Sequence, residues 1–303
     1  MNPPFTGIIA CGTDFSPNAS QAGIAAAALA KMWGKRLVLV HATDEFEGNS
    51  GTKRERDDCL SLAREPLEAE AARLAATGAV VTAEVLHGGL AEQAILSFVA
   101  NHSVDLVVVS AVSKTRFDRW TLGSVSERVA EAAPAATLVV RVAAPFAAWA
   151  GGDRALKIFV AADFSASSEA ALRWVGDLCR LGPCQVTVAY VNWPPEDRER
   201  LGVTGPLGLT ENPPEIQFAL ERELREKVTA VLGGHEAEIQ VRVGWGRVDA
   251  LLVDLADEAG ADLLVMGTHQ RRGLERWTRG SVSRGVLRHS LLNVACVPVM
   301  ALT

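Results

Sequence analysis

Two carboxylates occupy matching places in the two halves of this chain. Asp14 and Asp163 each follow an apolar run and each begin the tripeptide Asp-Phe-Ser. A carboxylate accepts hydrogen bonds, and open α/β sheets bind their ligands beyond the carboxyl ends of the strands. Asp or Ser just before a helix also serves as its N-cap, by accepting free N–H groups. The residues alone leave both roles open.

A Gly-Ser pair that precedes a helical stretch is also repeated. Gly123 and Ser124 form the first copy, and Gly280 and Ser281 form the second, about half a chain length later. Each pair follows an Arg-Trp-Thr run. The free N–H groups and the dipole of a helix N-terminus favour phosphate. The repetition predicts two related domains with two related anion-binding places.

Strand and helix patterns alternate along both halves. Residues 106–109 and 263–266 are apolar at consecutive positions, which is typical of strands buried on both faces of a parallel sheet. The predicted strands are residues 7–12, 36–41, 80–86, 105–110, 136–142, 156–161, 185–191, 237–243, 262–267 and 294–300. The predicted helices are residues 17–33, 54–77, 90–101, 123–132, 166–181, 214–232, 247–259 and 281–290. This order predicts an α/β fold with two tandem, doubly wound and mainly parallel sheets of five strands each.

Proline and paired glycines divide the chain. Residues 143–153 contain both, so we expect a linker there, with a first domain at residues 1–145 and a second at residues 154–303. Residues 192–214 are also rich in proline, and we expect no helix in them. A connection of that length is either a lid over a site or a plain loop.

Composition narrows the class of protein. The formal net charge is −6 and the pI is about 5.6, which argues against a general nucleic-acid binder. The five cysteines are scattered and form no CxxC pair, which favours a reducing, cytoplasmic compartment. We expect no signal peptide, no membrane segment and no metal, because the sequence lacks the corresponding patterns.

These features resemble the universal stress protein family in its tandem, two-domain form. The resemblance is carried by Asp14, Asp163, the Val-Met-Gly-Thr-His run at residues 265–269, the Gly-Ser-Val run at 280–282 and the helix at 286–289. It implies flavodoxin-like, HUP-type domains whose two copies associate as a pseudo-dimer through residues 136–142 and 294–300. A homodimer of the whole chain is also compatible with it. One branch of the family binds ATP through a Gly-x2-Gly-x9-Gly-(Ser/Thr) motif.

That motif is incomplete in both halves. Gln270 replaces its second glycine in the second half, whereas Ser110 and Ser113 replace both early glycines in the first. A side chain where a glycine holds positive φ or permits close approach costs on the order of 1 kcal/mol. We therefore expect the second domain to be the better nucleotide site and the first to be degraded.

The resemblance assigns roles to individual residues. Asp163 would accept hydrogen bonds from adenine, Val191 would line the base pocket, and the Gly-Ser-Val run would hold phosphate, with a role for Mg²⁺ left open. The expected second-domain contacts are Ala162, Asp163, Val191, Gly267, His269, Gly280, Ser281 and Val282. The weaker first-domain set is Thr13, Asp14, Ala42, Gly123, Ser124 and Val125.

No catalytic motif accompanies these residues. A P-loop lysine motif and a Gly-x-Ser-x-Gly elbow are both absent from the sequence. We predict a non-catalytic regulatory protein of the stress response, with ATP as a conformational ligand. Two alternatives stay open. One is an interaction module that binds no nucleotide, and the other is a nucleotide-hydrolysing or adenylyl-transferring enzyme, for which His41 would be the base by location.

Overall fold

A computed structural model describes residues 7–43, 53–87, 89–111, 122–202, 211–268 and 282–299, with the backbone alone for residues 53–61. The chain divides into two compact units, Met1–Arg154 and Ala155–Thr303. Strands and helices alternate in each unit, and the paired strands run parallel. The predicted α/β fold with mainly parallel sheets is therefore confirmed.

The first unit contains a sheet of order β3-β2-β1-β4-β5. Its elements are β1 (Ile8–Gly12), α1 (Pro17–Trp33), β2 (Arg36–Ala42), α2 (Lys53–Ala75), β3 (Val80–Leu86), α3 (Ala91–Asn101), β4 (Val104–Ser110), α4 (Ser124–Ala132), β5 (Ala136–Val140) and α5 (Ala144–Gly151). Helix α1 contacts α2, and α3 contacts α4. Such pairs form the two helical layers of a doubly wound sheet.

The second unit repeats this order, with strands arranged β10-β9-β6-β7-β8. Its elements are β6 (Leu156–Ala162), α6 (Ala166–Leu181), β7 (Cys184–Asn192), α7 (Pro194–Leu201), α8 (Pro214–Val231), β8 (Ala237–Val243), α9 (Val248–Glu258), β9 (Leu263–Thr268), α10 (Val282–His289) and β10 (Asn293–Pro298). Among the described residues, no helix has the length and apolar character needed to cross a membrane.

The core of each unit is centred on the middle strands. Val107 and Val108 in β4, and Leu264 and Val265 in β9, are fully buried. Burying such a side chain contributes roughly 1.5–3 kcal/mol. Successive buried residues require cover on both faces of the sheet, which is why the sequence shows continuous apolar runs there.

The strand order reverses at the same place in both sheets. Strand β1 lies between β2 and β4, with Cys11 opposite Val108, and β6 lies between β7 and β9, with Ala161 opposite Met266. In open parallel sheets the ligand crevice lies beyond the carboxyl ends at this reversal. The residues that follow β1, β4, β6 and β9 are therefore the ones placed to form a site.

Two expectations about local structure were wrong. Helix α5 occupies the predicted linker, and its Phe146 and Trp149 are buried. Helix α7 occupies part of the stretch expected to lack helix. Both begin with proline in the first turn, where a missing N–H loses no hydrogen bond, and both end at a glycine with positive φ. The other predicted elements are present, and their ends lie within two residues of the predicted ones.

Candidate functional site

The loop between β6 and α6 holds a carboxylate at the reversal point of the second sheet. The backbone N–H and the hydroxyl of Ser165 both donate to Asp163 Oδ1, the former at 3.1 Å. This is an Asx turn, which fixes the aspartate on its own backbone. The Asp163 side chain is exposed, and its Oδ2 has no hydrogen-bond partner in the part of the chain that the structure describes. One carboxylate oxygen is therefore available to a ligand.

The first unit builds the same loop. The Ser16 N–H donates to Asp14 Oδ1 at 3.0 Å. Phe15 and Phe164 have φ of +61° and +59°, the only non-glycine residues with positive φ in the described ranges. That conformation costs an L-residue roughly 1–2 kcal/mol. The same strained turn therefore presents an aspartate in both units.

Serine, and not aspartate, caps the helix in each unit. Ser16 Oγ accepts the Ala19 N–H at 3.1 Å, and Ser165 Oγ accepts the Ser168 N–H at 3.2 Å. Each serine thus satisfies one of the free donors at the helix start. The aspartates are not needed for capping, which resolves the choice left open by the sequence.

A polar and aromatic wall supports Phe164 in the second unit. The Tyr190 ring lies 4.8 Å from the Phe164 ring in an edge arrangement, and the Arg200 guanidinium lies 5.0 Å above it. Lys227 Nζ donates to the Phe164 carbonyl oxygen at 2.7 Å. Asp197, only 2% exposed, accepts the Tyr190 hydroxyl at 2.8 Å and pairs with Arg200. The wall anchors the strained turn that carries the carboxylate.

Burial changes the pKa of Tyr190, the tyrosine of this wall. Desolvation, followed by the hydrogen bond to Asp197, raises the pKa of Tyr190 well above its usual range. Tyr190 is the only tyrosine of the chain. Sequence reasoning missed the wall, because Arg200 comes from helix α7 in a stretch expected to lack helix.

A single histidine takes the place of Tyr190 in the first unit. The His41 Nδ1–H donates to the Thr13 carbonyl oxygen at 2.8 Å, and its ring centroid lies 4.4 Å from that of Phe15. These contacts join the end of β2 to the two residues on either side of Asp14. His41 thus has a structural place at the end of β2.

Gly267 lies at the end of β9 under a strict packing constraint. A Cβ there would lie 2.2 Å from the carbonyl carbon and oxygen of Ser167, at the start of α6. Its φ is outside the positive region, so close approach and not backbone conformation requires the glycine. In the first unit, Ser110 occupies the matching position and its carbonyl accepts the Ser126 hydroxyl at 2.6 Å. No pattern in the sequence indicated that Gly267 would contact helix α6.

The residues expected around the base differ in accessibility. Ala162 is buried, whereas Val191 is half-buried and its Cγ1 lies 2.4 Å from the position of a Cβ on Gly244. Trp193 follows β7 and Trp245 follows β8, and the centroids of their exposed rings lie 4.7 Å apart in an edge-to-face arrangement. Val191 is thus packed against the loop after β8. In the first unit, Thr13 and Ala42 are also half-buried.

The Gly-Ser run of the first unit starts α4. Gly123 is the N-cap and donates its N–H to the Ala111 carbonyl oxygen at 2.8 Å. Ser124 is exposed and Val125 is half-buried in the first turn. In the second unit, Val282 begins α10 and is 41% exposed. The remaining motif residues, Ser113, His269, Gln270, Gly280 and Ser281, lie outside the described residues.

A cavity of about 800 Å³ lies elsewhere in the second unit. Its lining includes Lys157, Cys184 and Glu238, at the amino ends of β6, β7 and β8. The predicted ligand residues follow the carboxyl ends, so this cavity and the candidate site are at opposite edges of the sheet. Across the described ranges, no group of three or more His, Cys, Asp or Glu residues is placed to hold a metal ion.

Comparison with known proteins agrees with this architecture. A model of the universal stress protein family matches residues 6–141 and again residues 155–298. The chain belongs to the universal stress protein family. It is a tandem member, because each half matches separately.

Individual relatives are distant. Universal stress protein MJ0577 of Methanocaldococcus jannaschii is 27% identical over 148 residues, which span 44% of this chain and 89% of that protein. A universal stress protein structure from Archaeoglobus fulgidus has a TM-score of 0.70 at 18% identity and covers 97% of both chains. A functionally unknown protein from Pseudomonas aeruginosa, PA1789, has a TM-score of 0.60 at 16% identity, over 96% of this chain and 92% of that one. At such identities, the two structures share the fold of this stress protein.

Proposed function

We propose that this universal stress protein binds an adenine nucleotide, ATP, in its second domain and acts as a non-catalytic regulator in the stress response. The observation that carries the proposal is the exposed Asp163 carboxylate, held by its own Asx turn at the reversal of the second sheet. A carboxylate oxygen there can accept a hydrogen bond from the exocyclic amine of adenine. The family resemblance points to the same residue.

In this proposal the phosphates of the nucleotide point towards the N-terminus of α10. Strand β9 is the neighbour of β6, and the chain after β9 leads to α10, which begins at Val282. The N-terminus of a helix favours phosphate through its free N–H groups and dipole. We place the base next to Asp163 and Val191, and the phosphates towards Gly280, Ser281 and Val282. The family resemblance assigns Gly267 and His269 to the ribose and phosphate.

The first domain is the weaker candidate. The Gly123 N–H donates to Ala111, so this amide is already engaged at the place where the motif would offer it to phosphate. Ser110 and Ser113 also replace the early motif glycines. His41, the residue considered as a catalytic base, contacts Thr13 and Phe15 and supports a loop. These contacts favour ligand binding in the second domain, with ATP as a conformational ligand.

The test counts nucleotide in the purified full chain. We expect heat-released nucleotide at one mole per chain, and calorimetric titration with ATP should give one site. Asp163→Asn should weaken binding about tenfold or more, because it replaces the charged acceptor. Asp14→Asn is the matched control, since the same Asx turn holds it, and should leave the affinity unchanged.

Three results would reject the proposal. Two moles per chain would show that both domains bind. Retention of nucleotide by Asp163→Asn with loss in Asp14→Asn would place the site in the first domain. Absence of binding at millimolar ATP would favour an interaction module that takes no nucleotide.

A further inference from the structure

Two cysteines meet at a turn in the second unit. Cys179 lies in the last turns of α6, and Cys184 is the first residue of β7. Their thiol side chains lie within hydrogen-bonding reach of each other, and both residues are half-buried. Cys184 Sγ also lies 3.5 Å from the Gly182 carbonyl oxygen within the intervening turn. The turn thus brings two partly exposed cysteines together.

The two thiols differ in acidity. The hydrogen bond from Cys184 lowers the pKa of Cys179, and the nearby charge of Arg180 lowers it further against the effect of burial. The same hydrogen bond and burial raise the pKa of Cys184. A thiolate is the nucleophilic form of cysteine, so Cys179 is the more reactive sulfur. Redox-sensing cysteines typically combine a low pKa, access to solvent and a neighbouring resolving thiol.

We propose that Cys179 and Cys184 form a dithiol switch that hydroperoxides oxidise reversibly to a disulfide. The Cys179 thiolate attacks a peroxide oxygen, the O–O bond breaks, and Cys179 becomes a sulfenic acid while hydroxide leaves and takes up a proton. The Cys184 thiol then loses its proton, and its sulfur displaces the hydroxyl group as water. The sum is two thiols and one hydrogen peroxide giving one disulfide and two waters.

Two buried cysteines, Cys11 and Cys296, serve as internal controls for the oxidation. Cys11 and Cys296 are 0% and 1% exposed. Burial, the larger cause, and the charge of Glu70 raise the pKa of Cys11 to about 12. Buried thiols of this kind are inert. Oxidation should therefore select the pair at the turn.

The location gives the disulfide a structural effect. Cys184 lines the cavity of about 800 Å³ and is the partner of Leu156 in the β6–β7 ladder. A bond between the sulfurs would tie the end of α6 to the start of β7 at the cavity wall. A disulfide draws two sulfurs to about 2.05 Å, so this wall must tighten on oxidation.

The experiment uses the full-length protein and graded hydrogen peroxide. We expect the intact mass to fall by about 2 Da and dithiothreitol to restore it. Trypsin cleaves after Arg180, between the two cysteines, so the disulfide should appear as a linked pair of tryptic peptides. Differential alkylation of the wild-type protein should show protection of Cys179 and Cys184 before Cys11 and Cys296. This measurement requires no variant to fold.

Variants then assign the two roles. Cys184→Ser should leave a Cys179 sulfenic acid that a dione reagent labels, and Cys179→Ser should give neither the label nor the linked peptides. Cys59→Ser should leave the linked pair intact. The switch is refuted if the linked peptides fail to form while both thiols alkylate in the folded protein. Equal oxidation of the buried cysteines would also refute it.

Discussion

The candidate site depends on one residue conformation that occurs twice. Phe15 and Phe164 adopt positive φ directly after Asp14 and Asp163. The recurrence of Asp-Phe-Ser after two apolar runs predicted that both aspartates bind a ligand or cap a helix. It could not predict the left-handed turn, since phenylalanine rarely adopts it and nothing local marks it. The support from Tyr190 and Arg200 is tertiary, and a single sequence does not reveal such contacts.

Gly267→Ala tests whether the first motif glycine of the second domain is required for packing against α6. The added methyl would lie 2.2 Å from Ser167 backbone atoms, so the contact between β9 and α6 must shift. We expect the free energy of unfolding to fall by about 1–3 kcal/mol, measured by urea denaturation without nucleotide. Gly176→Ala within α6 is the matched control, because its nearest contact is 3.7 Å away. That variant should gain roughly 0.5–1 kcal/mol. Equal stability of the two variants would contradict the packing role.

Alkaline titration reports on Tyr190 directly, because the chain has no other tyrosine. Its folded pKa is raised by burial and by Asp197, so the native protein should show no tyrosinate absorbance near pH 10, where a free phenol ionises. The stability that this group contributes is fully present below about pH 10 and is lost as pH rises further. The denatured chain, titrated in urea, is the control and should ionise near pH 10. Coincident native and denatured curves would show that the buried wall is absent in solution.

At the scale of elements, long periodic segments were predictable and short ones were not. Helices α1 and α6 match the predicted bounds, because each begins at a serine cap and continues for four turns or more. Helices α5 and α7 have eight residues each. Their prolines suggested loops, yet proline in the first turn is compatible with a helix. The burial of Phe146 and Trp149, together with the contact between α5 and α1, identifies α5 as part of the first unit.

Trp149→Ala distinguishes a packed α5 from the linker that the sequence suggested. Trp149 is 1% exposed, and α5 contacts α1. We expect a loss of about 3–5 kcal/mol in the free energy of unfolding, followed by circular dichroism in urea. Trp245→Ala removes a tryptophan that is 41% exposed and should cost less than about 1 kcal/mol. A neutral Trp149→Ala would mean that residues 144–151 do not pack.

At the scale of the whole chain, duplication made the architecture predictable and left the ligand as the harder question. Repeated strand–helix order and repeated motif residues indicated two domains of one family, and the family model matches both halves. Inequality between the halves comes from single substitutions such as Gln270 and Ser110. Their effect depends on distances of a few tenths of an ångström, which residue types alone do not determine.

Hydrogen exchange with and without ATP tests this inequality in the intact chain. If only the second domain binds, ATP should slow exchange at residues 163–168 and 262–268 and leave residues 14–19 and 105–110 unchanged. Ligand at a hundred times its dissociation constant stabilises the native state by about 2.7 kcal/mol, enough to lower the population of the open, exchange-competent state about a hundredfold. Asp163→Asn, which weakens binding about tenfold or more, should reduce the protection to about tenfold or less at the same ATP concentration. Asp14→Asn should preserve it and is the matched control, because both variants remove one negative charge from the same kind of turn. Protection at residues 14–19 would show that a domain without either early motif glycine still binds. Motif glycine count would then not determine affinity in this chain.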